Sequence, residues 1–168
     1  MKGLENSTYV WLLIIANLLA VFLLLASLYR PRVCRVLFFL LFLWAAVTNC
    51  VTLLQSPLVY LEYADLTWSA VYRDFIRGWF AEHIRLFVGI IVICQGLIAI
   101  SLLLKGWIYT LGSIGGMLFL LAILPLGVGS GFPCSAIMSV SLFILLRKSL
   151  TPDQHVSKVN PVQESQPV

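Results

Sequence analysis

Charge is scarce in this sequence. Only 11% of its 168 residues are Asp, Glu, Lys or Arg, while 61% are hydrophobic; soluble domains carry roughly 25% charged residues. A water-soluble globule is therefore excluded, and an all-α, polytopic transmembrane helix bundle is expected. Paired thiols are absent as well: there are four cysteines but no Cys-x-x-Cys, so the activated dithiol of a membrane disulfide-exchange enzyme is missing. Two histidines, His83 and His155, belong to no His-x-x-x-His or Glu-x-x-His array, which argues against a dedicated metal site. Gly127, Gly129 and Gly131 follow no strand and open into an apolar run, so they read as a membrane-surface turn rather than a dinucleotide fingerprint. The net charge of +4 is spread between apolar runs, leaving no nucleic-acid footprint.

What the sequence does contain is a succession of apolar runs near the roughly 20 residues needed to cross a hydrocarbon core of about 30 Å. Five are expected to span, at about 9–29, 33–54, 84–104, 107–124 and 132–146. The stretch from Trp107 to Leu146 is too long for one crossing and should fold back across Pro125 to Pro133, a helix-breaking segment. The fifth span is short and relies on Arg147 and Lys148 to snorkel. With five spans, Arg30, Arg32 and Arg35, then Lys105, then Arg147, Lys148 and Lys158 all fall on one side, as positive residues in cytoplasmic loops do. The expected arrangement is a multi-pass plasma-membrane protein, N-terminus outside, its first run retained as a signal anchor. Residues 1–150 would form the bundle and residues 151–168 a disordered cytoplasmic tail.

The remaining charge is concentrated in an external loop, 55–83, and its junction with the third span. Glu62, Asp65, Asp74 and Glu82 alternate there with Arg73, Arg77, His83 and Arg85, among Tyr60, Tyr63, Trp68, Tyr72, Trp79 and Phe80. From Val71 to Arg85 there is no proline and one glycine, and the pairs Phe75/Trp79 and Ile76/Phe80 stand at i,i+4. An interfacial helix between spans two and three follows, with Asp74–Arg77 and Glu82–Arg85 as intrahelical pairs. The sharper reading is a binding site at the external mouth of span three. Ionisable groups carried into a membrane segment are costly and imply function. Here His83 beside Glu82 suits proton relay, while Arg85 beside Trp79 suits a quinone head group, a carboxylate or a lipid phosphate. Gln95, the one strongly polar side chain within span three, is expected to bond Asn49 or Thr48 of span two or to line a pocket.

Smaller features leave alternatives. The cysteines read as packing residues, though Cys50 and Cys134, both near external span ends, allow a bridge. Gly112 and Gly116 give small-xxx-small spacing for close helix approach, within the bundle or in a homodimer.

The segments Asp-Phe-Ile-Arg-Gly-Trp-Phe-Ala-Glu-His (74–83), Gln95-Gly96 through Lys105-Gly106, and Gly112 to Gly116 resemble the DoxX-like family of small bacterial membrane proteins. The similarity covers roughly 33–146 and leaves span one as an addition. It implies a bundle of about four helices and, for some members, quinone-linked oxidation chemistry or redox-stress complexes. The position commonly acidic in that family is Gln95 here, which departs from a proton-linked role. Two functions follow. One is an accessory or structural subunit, without stand-alone catalysis, for a membrane-protein partner or a homo-oligomer. The other is a quinone-interacting redox subunit using Trp79, Glu82, His83, Arg85 and Gln95. Solute transport is disfavoured because the spans lack repeated polar interruptions. The helical phase of Gln95 and Asn49 relative to His83 separates the first two.

Overall fold

The computed structural model describes residues 7–151. Residues 1–6, which precede the expected anchor, and the expected tail beyond Thr151 lie outside the described residues. All regular structure among those described is helical: α1 (Ser7–Tyr29), α2 (Pro31–Gln55), α3 (Tyr63–Leu66), α4 (Ala70–Phe75), α5 (Ile84–Leu103), α6 (Trp107–Ala122) and α7 (Cys134–Leu150), joined by 3₁₀ turns at Pro57–Glu62 and Leu124–Ser130 and a π turn at Ile76–Phe80.

The long helices begin and end where the sequence is punctuated. Pro31 sits in the first turn of α2, where its fixed φ and missing N–H are tolerated. Gly106, at φ 69°, adopts a left-handed conformation that favours glycine and reverses the chain between α5 and α6. Three helices, α1, α2 and α5, are long and apolar enough to cross a membrane. Neither of the other two reaches that length: α6 has 16 residues and α7 has 17. At 1.5 Å per residue α6 is only about 24 Å long, and it approaches a full crossing only together with the Leu124–Ser130 turn, which bends from it by 79°. Helix length alone therefore gives three crossings rather than five. Pro125 and Pro133 explain the difference, because the chain between them cannot continue either helix.

Packing follows a closed circuit. The principal contacts run α1 to α2, α2 to α5, α5 to α6, α6 to α7 and α7 back to α1, with α2–α5 the most extensive and α1–α2 the sparsest. One end of this ring is solid. Ala20, Leu23, Cys34, Phe38, Ala99, Leu102, Tyr109, Leu142 and Leu145 are all buried there. Small residues draw the helices together: a Cβ at Gly112 would lie 1.5 Å from Ser101 Oγ on α5, and one at Gly116 would lie 3.0 Å from Leu142 Cδ1 on α7. The small-xxx-small spacing thus serves packing inside the bundle.

The basic residues expected to mark one side also stitch that end. Arg35 Nε and Nη2 donate to Leu102 O at 3.1 and 3.0 Å, and Nη2 also donates to Leu104 O. These are carbonyls of the last turn of α5, which the helix itself leaves without partners. The same guanidinium stacks over Tyr109, 4.1 Å from the ring centroid. Lys148 Nζ donates to Ser27 O at 3.1 Å and to Leu28 O, closing the end of α1 from α7.

The charged loop covers the opposite end. Its helical content is broken into short pieces, because Gly78 (φ −96°, ψ −111°) departs from helical geometry within the π turn. The continuous helix expected across Val71–Arg85 is not what forms. Phe75 and Trp79 do meet, with centroids 6.3 Å apart, and join Phe80 and Phe87 in an aromatic cluster. The expected ion pairs are replaced: Arg77 Nη2 reaches Asp65 Oδ1 at 2.7 Å, the sole ion pair among the described residues. Asp74, Glu82 and Arg85 are exposed. Loop and ring are bonded by Thr67 Oγ1 to Pro125 O (2.6 Å) and Tyr72 OH to Ala122 O (2.7 Å). Gly129 lets the Tyr63 ring lie against the 3₁₀ turn, since a Cβ there would fall 2.4 Å from Tyr63 Cδ1.

Candidate functional site

Between the solid end and the loop, the ring encloses a cavity of about 680 Å³, well within the range of small-molecule sites. All five long helices contribute to its wall. Leu12, Ile15 and Leu19 of α1 and Trp44 of α2 both line it and are exposed on the outer surface, so the cavity opens sideways at the sparsely packed α1–α2 seam. Tyr60, Tyr63 and Tyr72 of the loop close it towards the capped end.

The wall is apolar apart from a few uncharged groups, and among the described residues no Asp, Glu, Lys, Arg or His lines it. Its main polar feature is a directed chain of hydrogen bonds. Tyr60 OH donates to Asn49 Oδ1 at 2.9 Å, and Asn49 Nδ2 donates to Gln95 Oε1 at 2.8 Å. Asn49 Oδ1 thus takes the phenol proton while its nitrogen is turned towards Gln95, and the Gln95 Nε2 hydrogens come last. Burial pushes the Tyr60 and Tyr63 phenols up from their ordinary value near 10, with Tyr63 raised further by Tyr9 and Glu62. Both stay neutral at physiological pH, and the cavity carries no formal charge from its protein wall.

A second polar group lies on α7. Ser135 lines the cavity at 1% exposure, and its hydroxyl has no hydrogen-bond partner. Next to it, Cys134 Sγ contacts Met138 Sδ at 3.9 Å. Cys34, Cys50, Cys94 and Cys134 are all free thiols, so the Cys50–Cys134 bridge is not formed.

The sequence-derived candidates divide. Gln95 is 3% exposed and joins Asn49 in the cavity, as expected of a polar side chain within an apolar helix. Trp79, Glu82, His83 and Arg85 cluster at the start of α5, exposed and outside the cavity wall. His83 Nδ1 lies 3.2 Å from Trp79 O and its ring 5.8 Å from the Trp79 ring; among the described residues no ion pair involves it. Sequence reasoning missed Tyr60 and Ser135. Tyr60 was legible only as an interfacial aromatic, and nothing in the spacing of Ser135, one of several serines on α7, distinguishes it.

No family model, no curated protein and no solved structure matches this chain.

Proposed function

We propose that this chain is a five-span membrane protein that holds a neutral lipophilic molecule in its ring and takes it from the bilayer between α1 and α2. The observation that carries the reading is the 680 Å³ uncharged cavity open at the α1–α2 seam. An apolar chamber with a few polar groups suits a ligand with a hydrophobic body and a small hydrogen-bonding head. It does not suit a fatty-acid carboxylate or a phosphate, because desolvating an anion without a cationic partner is prohibitive. A quinone, which the resemblance to the DoxX-like family implies, is one neutral lipophile that fits. The protein then acts as a binding subunit for a membrane partner rather than as a stand-alone enzyme. In the membrane α6 and α7 cross as shortened spans, the basic end faces the cytoplasm and the loop faces outside.

The binding reading is tested with an alkyl diazirine incorporated into vesicles with the purified protein. Photolysis should label cavity-wall peptides from α2 and α7, and Ala45→Trp, which fills the seam, should reduce that labelling several-fold while labelling of outward-facing Leu97 and Leu118 persists. Uniform labelling of all outward faces, unchanged by Ala45→Trp, would remove the proposal. Orientation is tested separately. A cysteine-free variant carrying Trp68→Cys should react with an impermeant maleimide added outside intact cells; reaction only after lysis would invert the topology.

A further inference from the structure

We infer that the cavity selects a ligand carrying a carbonyl oxygen, which it binds through Gln95 Nε2. This rests on the cavity-binding reading above and adds the chemistry of the head group.

One polar group is stranded in the cavity wall. Gln95 Nε2 has no protein partner among the described residues, its Oε1 being already engaged by Asn49. Ser135 Oγ is unbonded too, but it is buried behind the wall, out of reach of a ligand in the cavity. Leaving such groups unmet in an apolar setting is unfavourable, and native structures seldom do so. The polarity of Gln95 Nε2 specifies what meets it. An amide nitrogen only donates, and in the observed Tyr60–Asn49–Gln95 chain the nitrogen stands at the end, so the ligand atom there must accept. Each donor in the chain polarises the next, which strengthens the last N–H as a donor. The absence of any cation from the wall excludes an anionic acceptor, leaving a neutral oxygen on a lipophile. A carbonyl fits best, since it exposes two lone pairs and brings no proton of its own needing a partner at Gln95.

The test uses the diazirine labelling of the cavity with two unlabelled competitors, a long-chain methyl ketone and an n-alkane of equal length. In the wild type the ketone should suppress labelling at a concentration about tenfold lower than the alkane, the scale of one hydrogen bond made or forgone. Gln95→Leu should erase that advantage and leave competition by the alkane unchanged. Should Gln95→Leu fail to fold, Gln95→Met, which keeps the length and flexibility of the side chain, supplies a second variant and should likewise erase the ketone advantage. A carbonyl carrying carbon-13 should also show its infrared stretch at lower frequency when bound to wild type and not when bound to Gln95→Leu. Equal competition by ketone and alkane in the wild type, or a ketone advantage surviving in folded Gln95→Leu, overturns the head-group inference and leaves the cavity reading standing. Failure of the hydrocarbon diazirine to label the cavity overturns the reading beneath it.

Discussion

Arg35→Met should cost this protein about 3 kcal/mol of stability, the sum of lost charge-assisted bonds and a lost cation–π contact. Arg35 is the side chain that satisfies Leu102 O and Leu104 O at the end of α5 while stacking on Tyr109. Those carbonyls sit at a helix terminus, where the helix itself supplies them with no partner; the Leu102 bonds are partly buried and the Leu104 bond lies at the exposed rim. Arg35→Lys keeps the charge but not the planar fork or the stacking, and should recover less than half of the loss. Arg32, exposed and without a partner among the described residues, provides the contrast: Arg32→Met should shift stability by no more than about 0.5 kcal/mol. Denaturant titration in a single detergent, followed by circular dichroism, measures all three. Equal losses at positions 32 and 35 would mean that Arg35 acts only as one more positive charge.

The second large effect is expected where α5 and α6 touch. Gly112→Ala places a methyl group 1.5 Å from Ser101 Oγ and 2.4 Å from Ser101 Cβ. Ser101 has little freedom to yield, since its hydroxyl is bonded to Ile98 O at 2.6 Å. Overpacking of this kind costs about 1–3 kcal/mol. The companion change Ser101→Gly removes the obstructing atoms, so the double variant should regain most of the loss, a coupling that a double-mutant cycle reads directly. Gly115→Ala is the internal control: its Cβ meets nothing nearer than Ile98 Cγ1 at 3.7 Å, an ordinary contact, and the gain in helix propensity offsets any cost. Two glycines three residues apart should therefore respond differently. Comparable damage at 112 and 115 would show that the seam is governed by helix propensity rather than by contact.

The helices were legible because the signals for them are local. An apolar run of twenty residues ending at Arg30-Pro31 or Lys105-Gly106 needs no knowledge of the rest of the chain, and the observed ends fall within about four residues of those expected. Asn49 with Gln95 was legible for the same reason: an amide in an apolar helix seeks another. The cavity was not, because its wall joins α1 to α7, segments more than a hundred residues apart, and its mouth is defined by where packing is weak. The charged loop misled in a physical way. Its i,i+4 pattern continues through Gly78, and periodicity carries no warning that a single glycine will let the helix turn aside; once it does, Arg77 reaches Asp65 rather than Asp74. Exposed charge at the start of α5 drew notice from uncharged groups that were buried.

The ring is closed by α1 and α7, and two separate bonds hold that seam. The more extensive partner of α1 is α7, whose Lys148 bonds the end of α1, while Asn17 Nδ2 reaches Gly131 O, in the turn before α7, at 3.3 Å. A protein lacking α7 should therefore keep α1 docked only through its sparser contact with α2 and the Asn17–Gly131 bond, so that losing one helix loosens two.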